Sequence, residues 1–315
     1  MISVVVPAYR ASTLSECLAG ILEQHTSEPF EVVVALSSDL GSEPPAIPSD
    51  PRLRVLSHVP RLGAAAARNR AVAASRGRLI AFTDADVMVS RDWLAGLSNA
   101  SGGTYCVAGS VLNGTPRSAA GTVEYLVHFF DLHPRRPART LWHGATCNLM
   151  LPRPLWDKLG PFPEDLGGGE DTWMTVAARS RGLFRFSADS VVRHQNRTRW
   201  RDVIRHQVEA GRFTARLGRC SAYKWRPLVR YSALAPAACV GRIVSVYTRL
   251  IWWDRKDLGR ALYLLPGVVL ALMAWGWGLW TEGVRIDARA LWRGTMRSHQ
   301  VSVAGGEVET GQPAE

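Results

Sequence analysis

Cysteine is scarce in this sequence, and its few copies form no pattern. Five cysteines are scattered over 315 residues, and no two of them are arranged as Cys-x-x-Cys. This spacing argues against a disulfide framework and against a zinc site, and it fits a reducing, cytosolic setting. The first residues, MISVVVPAYR, lack the basic start and the long apolar core of a signal peptide, so no signal peptide is expected.

Acidic residues are scarce in the C-terminal part of the chain. Residues 219–300 hold thirteen Lys and Arg against four acidic residues, a net charge of +9, whereas the whole chain carries +11. These basic residues alternate with long apolar runs and Trp, as in RLIWWDRKDLGRALYLLPGVVLALMAWGWGLW. Segments that bind nucleic acid are not this apolar, so the expected partner is a membrane and not nucleic acid.

Charge is missing altogether from residues 261–281, which is about the length that crosses a bilayer of roughly 30 Å. Arg242 and Arg249 interrupt the apolar stretch 231–253, which favours a helix in the interface or a tilted span, with a buried core helix as the alternative. Because basic residues flank 261–281 on both sides, a single crossing would place one flank outside. We therefore expect a hairpin of two crossings or re-entry into one leaflet, with the N-terminal part in the cytosol.

Continuous apolar runs alternate with helical patterns over the first ninety residues. The runs ISVVVPAY, FEVVVAL, LRVLS and RLIAFTDAD predict strands, and the Ala-rich residues 62–75 predict a helix. Thr13 and Glu16 have the spacing of a capping box at the start of another helix. This order predicts an α/β fold with a parallel-centred, Rossmann-type sheet, in which ligands bind beyond the carboxyl ends of the strands.

Asp84 and Asp86 end the fourth predicted strand with one residue between them. Alternate residues of an extended chain point the same way, so the two carboxylates can converge on one point. Residues 79–90 hold no basic side chain that would neutralise them. A divalent cation, Mg²⁺ or Mn²⁺, is the predicted partner, and a structural turn is the alternative.

Two further features place polar side chains at the ends of predicted elements. The segment GGGED (167–171) presents Glu170 and Asp171 at the start of a helix, after three glycines that permit positive φ. Asp171 is either an ordinary helix cap or a general base that takes a proton from an attacking hydroxyl. His194 closes the strand-like run SADSVVRH and is either a surface histidine or a third metal ligand or phosphate donor.

These stretches, in this order, resemble the family 2 glycosyltransferases, which are inverting enzymes with the A-type nucleotide-sugar fold (GT-A). The resemblance covers residues 1–215, and the segment MAWGWGLWTEGVRID looks like the membrane-associated ends of bacterial members. The matching stretches are SVVVPAYRASTLSECLAGIL, RLGAAAARNRAVAASRGRLIAFTDAD with its Asp-x-Asp metal motif, GATCNLMLPRPLWDKLGPFPEDLGGGEDTWMTVAARSRG and VVRHQN.

The resemblance implies a role for each matching residue. Asp86, together with Asp84 and His194, would hold Mg²⁺ or Mn²⁺, and Asp171 would be the catalytic base. The nucleotide would be bound by Pro7, Ala8, Tyr9, Asp39, Arg68 and Asp84. The donor sugar and the acceptor would face Trp142, Asn148, Gly168, Gly169 and Glu170.

At two places the sequence departs from the family's pattern. Where the family carries an acidic residue that reads uracil, this chain has Ala35 and Leu36, with Asp39 as the nearby substitute. A UDP-sugar is the expected donor, and a sugar on another nucleotide is the alternative. Asn196 stands where processive polysaccharide synthases have the Gln of Gln-x-x-Arg-Trp, which predicts a transferase of single sugars.

The resemblance and the charge pattern together yield a functional hypothesis. Residues 1–218 would form the catalytic domain, with a nucleotide-binding half at 1–100 and an acceptor-side half at 101–218, followed by membrane-associated helices at 219–300 and a flexible acidic tail at 301–315. The enzyme would transfer a sugar to a hydroxyl of a lipid-linked or envelope glycan at the cytosolic face of the inner membrane. A catalytically silent membrane scaffold is the alternative, and a nucleotidyltransferase is disfavoured because PAYRASTLSE is not a Gly/Lys-rich phosphate loop.

Overall fold

The computed structural model of the protein describes residues 1–40, 45–137, 141–218 and 231–304. From residue 305 onward the predicted acidic tail lies outside the described residues. The strands are β1 (Ile2–Tyr9), β2 (Phe30–Ser37), β3 (Leu53–His58), β4 (Leu79–Phe82), β5 (Val87–Val89), β6 (Cys106–Asn113), β7 (Leu149–Pro152) and β8 (Phe184–His194). The helices are α1 (Leu14–Leu22), α2 (Ala64–Ala74), α3 (Trp93–Ser101), α4 (Ala119–His128), α5 (Arg153–Leu159), α6 (Glu170–Arg179), α7 (Trp200–Leu217), α8 (Ala235–Trp253), α9 (Leu258–Tyr263) and α10 (Leu265–Ala304).

Within the described ranges the strands form an eight-stranded sheet in the order β3-β2-β1-β4-β7-β6-β8-β5. The first four strands are mutually parallel, which confirms the predicted parallel centre, whereas β7 runs antiparallel to both β4 and β6. Val4, Val5 and Val6 of β1 are fully buried, as expected for a strand that is covered on both faces. The carboxyl ends of β1 and β4 therefore lie side by side at one edge of the sheet.

The predicted capping box at the start of α1 is not formed. Thr13 precedes the helix, but its hydroxyl donates to the carbonyl oxygen of Ala85 at 2.9 Å and makes no capping hydrogen bond. One turn further along α1, the thiol of Cys17 donates to the carbonyl oxygen of Asp84 at 3.3 Å. The side chains of α1 thus hold the loop after β4 in place, and this tertiary contact replaces the local cap.

The apolar residues 261–281 do not form one continuous helix, because the chain bends at Leu264. Among the described residues no single helix is long and apolar enough to cross a membrane, and the segments Arg255–Tyr263 and Leu265–Asp287, which meet that criterion as a pair, are bent by 77°. Pro266 explains the break, since it cannot donate a backbone hydrogen bond and its ring would clash with the preceding turn of a continuing helix.

Helix α10 packs against α7 at two glycines that allow the backbones to approach closely. A Cβ atom on Gly211 of α7 would lie 1.9 Å from the carbonyl oxygen of Trp275, and one on Gly278 of α10 would lie 2.0 Å from that of Val208. These are backbone atoms of the facing helix, so the clash could be relieved only by separating the helices. Helix α10 therefore packs with its backbone in close contact with α7.

We expect Gly278→Ala to destabilise the protein, because the added methyl group forces α10 away from α7. The free energy of unfolding should fall by about 1–3 kcal/mol, the usual cost of overpacking. Gly241→Ala is the matched control, since a Cβ there meets nothing within 4 Å and alanine is the better helix former. Denaturation of the detergent-purified variants measures both effects, and equal stabilities would contradict the close helix contact.

Candidate active site

Two adjoining cavities open at the edge of the sheet where β1 and β4 end. The strand-end cavity has a volume of about 520 Å³, and its lining includes Pro7, Ala8, Tyr9, Asp84, Asp86 and His194. The helix-side cavity has a volume of about 410 Å³, and its lining includes Gly168, Gly169, Glu170, Asp171, Arg242 and Arg249. Arg68, Asp84 and Arg197 line both cavities, so the two share a wall.

Asp84, Asp86 and His194 form a cluster at this shared edge. One potential ligand atom from each residue lies within 4.8 Å of the other two, and His194 Nε2 is 3.5 Å from Asp86 Oδ1. The sheet register brings them together, because His194 of β8 pairs with Val87, the residue after Asp86. The ring of Phe129, with its centroid 4.3 Å away, packs against the imidazole. The structure thus brings the three predicted metal ligands together.

The chemistry of this cluster fits a divalent cation. Two carboxylates and an imidazole are a donor set that Mn²⁺ accepts, and Mg²⁺ is commonly held by carboxylates together with substrate phosphates. Burial raises the pKa of Asp86, and Asp84 raises it further against the opposing effect of His194. Within the described residues the buried Nδ1 atom of His194 has no hydrogen-bond partner. The repulsion between the two carboxylates is the electrostatic cost that a cation held at this point, with Nε2 of His194 as the third ligand, would offset.

Asp84 has a protein partner that its sequence neighbourhood did not indicate. Arg68 of α2 donates to Asp84 Oδ1 at 2.6 Å and to Glu170 Oε1 at 2.7 Å, and it is 5% exposed. Burial acts to lower the pKa of Arg68, but the two carboxylates, Asp84 and Glu170, outweigh this effect and raise the pKa above its usual value. The expectation that no protein group neutralises the pair is therefore wrong for Asp84, while Asp86 faces the cavity beside His194.

Asp171 lies in the first turn of α6 and is directed into the helix-side cavity. Gly169 occupies the N-cap position with φ +76°, after Gly168 at +134° and Gly167 at +68°, so the three glycines are required by the backbone. The side chain of Asp171 accepts hydrogen bonds from the backbone N–H groups of Thr146 at 3.3 Å and Thr172 at 2.6 Å. Burial nevertheless raises the pKa of Asp171. A raised pKa suits a carboxylate that accepts a proton.

Tyr9, Arg10 and Arg61 form a polar corner of the strand-end cavity. The hydroxyl of Tyr9 donates to Asp39 Oδ2 at 2.9 Å, and Arg10 donates to the same oxygen at 2.6 Å. These hydrogen bonds hold the pKa of Asp39 below its usual range. The guanidinium of Arg61 lies 4.0 Å from the centroid of the Tyr9 ring. Ala35 and Leu36 are both buried. Ser37, the last residue of β2, lines the cavity, and Asp39, two residues beyond it, contacts the corner through Tyr9 and Arg10.

The sequence reasoning missed a buried carboxylate, Glu124 of α4, and its partners. Glu124 is fully buried, and it accepts hydrogen bonds from Arg197 Nη1 at 3.0 Å and from His206. Burial acts to raise the pKa of Glu124, but His206 and Arg197 outweigh this and lower it. Arg197 and His206 line both cavities. The available signal was the single charge within the apolar run VEYLV, which indicates a paired, buried carboxylate.

Two predicted sugar-facing residues lie apart from this arrangement. Asn148 is fully buried, where it donates to the carbonyl oxygens of Ser110 and Ser190 and accepts from the indole of Trp93. Trp142 packs against Arg179, whose guanidinium is 4.4 Å from the ring centroid. Among the described residues, neither of the two lines the strand-end or the helix-side cavity.

Comparison with known proteins agrees with this geometry. The family model of glycosyl transferase family 2 matches residues 3–153. The glycosyltransferase AglE of Haloferax volcanii is 27% identical over 220 residues, which are 67% of this chain and 72% of that protein. A pre-mycofactocin glycosyltransferase of Mycobacterium tuberculosis is 27% identical over 70% of this chain, which spans about half (46%) of its length.

A solved structure shares the fold. The mannosyltransferase PcManGT from Pyrobaculum calidifontis, in complex with GDP-Man and Mn²⁺, superimposes with a TM-score of 0.50 at 21% identity, over 92% of this chain and 86% of that one. Residues 3–153 of the present chain are similar to glycosyl transferase family 2, and the mixed sheet is GT-A-like. The family match and the named relatives support a nucleotide-sugar-dependent glycosyltransferase. These findings agree with the predicted family and enzyme class.

Proposed function

We propose that this enzyme transfers a sugar, with inversion and with the help of a divalent metal, from a nucleotide diphosphate sugar to a hydroxyl of a membrane-associated glycan. The observation that carries the proposal is the position of Asp171 in the cavity that adjoins the Asp84, Asp86 and His194 cluster. Arg68 joins the two sides, since it bonds both Asp84 and Glu170, the neighbour of Asp171. A donor at the cluster and an acceptor beside Asp171 would meet at this shared wall.

The donor would lie along the strand-end cavity. Tyr9, Arg10 and Asp39 would contact the base and ribose, and Asp84, Asp86 and His194 would hold Mg²⁺ or Mn²⁺. When bound, the metal would offset the negative charge of the departing diphosphate. The relative PcManGT, which binds GDP-Man with Mn²⁺, supports a donor of this class.

Asp171 would act as the general base in the transfer. The acceptor oxygen attacks the anomeric carbon as the bond from that carbon to the phosphate oxygen breaks, and the nucleoside diphosphate leaves with the electron pair. The hydroxyl proton passes to the Asp171 carboxylate. Thr146 and Thr172, whose N–H groups donate to Asp171, orient the carboxylate for this step. One displacement of this kind inverts the configuration of the anomeric carbon.

A nucleotide binding panel tests the donor site. On detergent-purified protein, we expect one of UDP, GDP and dTDP to bind more tightly with Mn²⁺ than with EDTA, because Asp84 and Asp86 would hold a cation that offsets the charge of the diphosphate. CMP, which has no diphosphate, is the comparison. Asp39→Ala should weaken that nucleotide about fivefold by removing a polar contact to the base corner. Asp165→Ala, a change at an exposed aspartate outside both cavities, is the control. Equal, metal-independent binding of all four would contradict the proposed donor site.

The C-terminal helices would place this site on an anionic membrane, at the cytosolic face. Their exposed apolar residues are Val240, Val244, Ile251, Trp252, Leu262, Tyr263, Leu265, Leu270, Met273, Trp277, Trp280 and Val284. Trp252 and Tyr263 are 74% and 85% exposed. Arg255, Lys256 and Arg260 lie between these two aromatic residues in sequence. Apolar and aromatic side chains next to basic ones match the boundary of an anionic leaflet.

Vesicle flotation tests the membrane proposal. The protein should float with vesicles of phosphatidylglycerol and phosphatidylcholine, and raised salt should weaken the binding because the basic residues contribute to it. The double variant Trp252→Ser, Tyr263→Ser should float less, whereas Leu40→Ser, which removes a 91% exposed apolar side chain elsewhere, should float like the wild type. Identical flotation of all three proteins would argue against this surface.

A further inference from the structure

The imidazole of His194 is held by packing and not by a hydrogen bond at Nδ1. A metal-binding histidine normally donates a hydrogen bond from the ring nitrogen that does not bind the metal, and this bond fixes the orientation of the ring. Among the described residues, the buried Nδ1 of His194 has no hydrogen-bond partner, whereas Nε2 lies 3.5 Å from Asp86 Oδ1. Another contact must therefore orient this ring for a metal.

The ring of Phe129 provides that contact. Its centroid lies 4.3 Å from the centroid of the His194 imidazole, and the two ring planes are inclined by 38°. Phe129 is itself enclosed, because it is buried and the ring of His128 packs nearly perpendicular to it at 4.6 Å. Aromatic rings at these separations prefer particular relative orientations, so the position of Phe129 limits the orientations that are open to the imidazole.

Helix α8 holds the segment 127–135, which carries Phe129. Three polar contacts join them: Arg242 donates to the carbonyl oxygen of Val127 at 2.6 Å, Arg249 pairs with Asp131 at 3.0 Å, and Arg135 donates to the carbonyl oxygen of Trp253 at 3.0 Å. On α8 the positions 242, 249 and 253 are seven and four residues apart, which places them on one face of the helix. One face of α8 therefore runs along the whole segment.

The contact between α8 and the neighbour of Phe129 is aromatic. The ring centroid of Phe130, a buried residue, lies 5.9 Å from that of Trp253. Trp253 is the last residue of α8, and among the described residues it lines neither cavity. An effect of Trp253 on the metal cluster would therefore pass through Phe130 and Phe129.

We propose that Phe129 is a positioning residue for the metal ligand His194, and that α8 keeps Phe129 in place through the segment 127–135. This inference rests on the proposed metal cluster and goes beyond it, because it makes a C-terminal helix part of the metal site. The opposite face of α8 exposes Val240 and Val244, which belong to the proposed membrane surface. One helix thus serves the membrane surface on one side and the geometry of a metal ligand on the other.

Mn²⁺ binding to the full, detergent-purified chain tests the role of Phe129. Phe129→Leu keeps an apolar side chain but loses the ring. It should lower the Mn²⁺ affinity at least about tenfold, as is usual when a metal ligand loses the group that orients it. Electron spin-echo modulation at saturating Mn²⁺ detects a coordinated imidazole nitrogen directly. The wild type should show this nitrogen signal, and His194→Ala should lose it.

The nitrogen signal distinguishes positioning from a general loss of stability. In Phe129→Leu the signal should be weakened or lost, because the imidazole is no longer oriented toward the metal, while Asp84 and Asp86 still bind Mn²⁺. A full nitrogen signal in Phe129→Leu would overturn the positioning role, and so would a wild type without the signal.

Variants of α8 test the link from a distance. Trp253→Leu should lower the Mn²⁺ affinity about fivefold, less than Phe129→Leu, because Trp253 acts through two rings. Trp253→Phe keeps a ring against Phe130 and should restore the binding. Trp277→Leu is the matched control, since Trp277 is a 58% exposed tryptophan of α10 that lines neither cavity within the described ranges. Wild-type Mn²⁺ binding in Trp253→Leu, or an equal loss in Trp277→Leu, would overturn the role of α8.

Asp86→Asn separates this inference from the proposed function. If Asp86→Asn binds Mn²⁺ like the wild type, the metal cluster itself is refuted, and the positioning role with it. If Mn²⁺ binding depends on Asp86 but on neither Phe129 nor Trp253, the metal cluster stands and the positioning role alone is refuted.

Discussion

Asp86→Asn is expected to abolish sugar transfer, with kcat/KM lower by at least about 10²–10³-fold, the scale for losing one electrostatic group of an active site. The variant loses a carboxylate that faces the cavity beside His194, so the cluster keeps one carboxylate for the metal. The folded state should hardly change, because the Asp86 side chain lines the strand-end cavity and lies outside the hydrophobic core. Nucleotide release from the donor chosen by the binding panel, followed with and without an acceptor extract, measures the effect.

Asp92→Asn is the matched control for Asp86. It makes the same change at an aspartate whose side chain is 80% exposed and lies near His25, outside both cavities among the described residues. The control should turn over at the wild-type rate. Wild-type turnover in Asp86→Asn itself would refute the metal assignment, and a large drop in its melting temperature would mean that Asp86 has a structural role instead.

Asp171→Asn is expected to bind the donor nucleotide like the wild type and yet to lose transfer, with kcat lower by about 10²–10⁴-fold, the usual contribution of a general base. The asparagine oxygen can still accept a backbone N–H bond of the kind that Thr146 and Thr172 donate, so the start of α6 should stay folded. An amide cannot take the proton of the attacking hydroxyl. Steady-state kinetics and nucleotide binding on the same preparation separate the two effects.

The pH profile checks the role of Asp171 independently. A general base works in its deprotonated form, and burial raises the pKa of Asp171 above the ordinary aspartate value of about 3.9. The rate should therefore fall on acidification at a pH higher than an ordinary aspartate would produce, and Asp171→Asn should remove this acidic limb from its residual rate. Asp165→Asn, at an exposed position before the glycines, should keep both rate and profile. Loss of nucleotide binding in Asp171→Asn would make the residue structural.

Local sequence patterns were sufficient to predict the strands, because the conformation of a strand depends mainly on residues that are close in sequence. The apolar runs of β1, β2 and β4 form strands because burial on both faces favours continuous β-branched segments. Their parallel order places Asp84 and Asp86 at a strand end, and the glycines before α6 do adopt positive φ. The Asp-x-Asp motif, Asp171 and His194 could be selected from the sequence because each marks the end of a predicted element.

Only the tertiary structure decided which charges meet. Arg68 bonds Glu170 across 102 residues, and Glu124 bonds His206 across 82, and no local pattern encodes pairs so far apart. The sequence predicted that Asn148 faces the sugar, but its side chain is hydrogen-bonded to three buried groups. If Asn148 turned outward, those groups would be left unpaired in the core, which would cost too much free energy.

The C-terminal region shows the same division between sequence and structure. Its apolar and basic composition is a property of the sequence alone, and it predicts affinity for a membrane surface. The bend at Leu264 and the contact of Gly278 with α7 determine which side of the C-terminal helices is buried and which is exposed. Composition alone cannot assign these two sides. Composition and periodicity set local conformation and burial, whereas the packing of distant segments sets the distances between charges on which the chemistry depends.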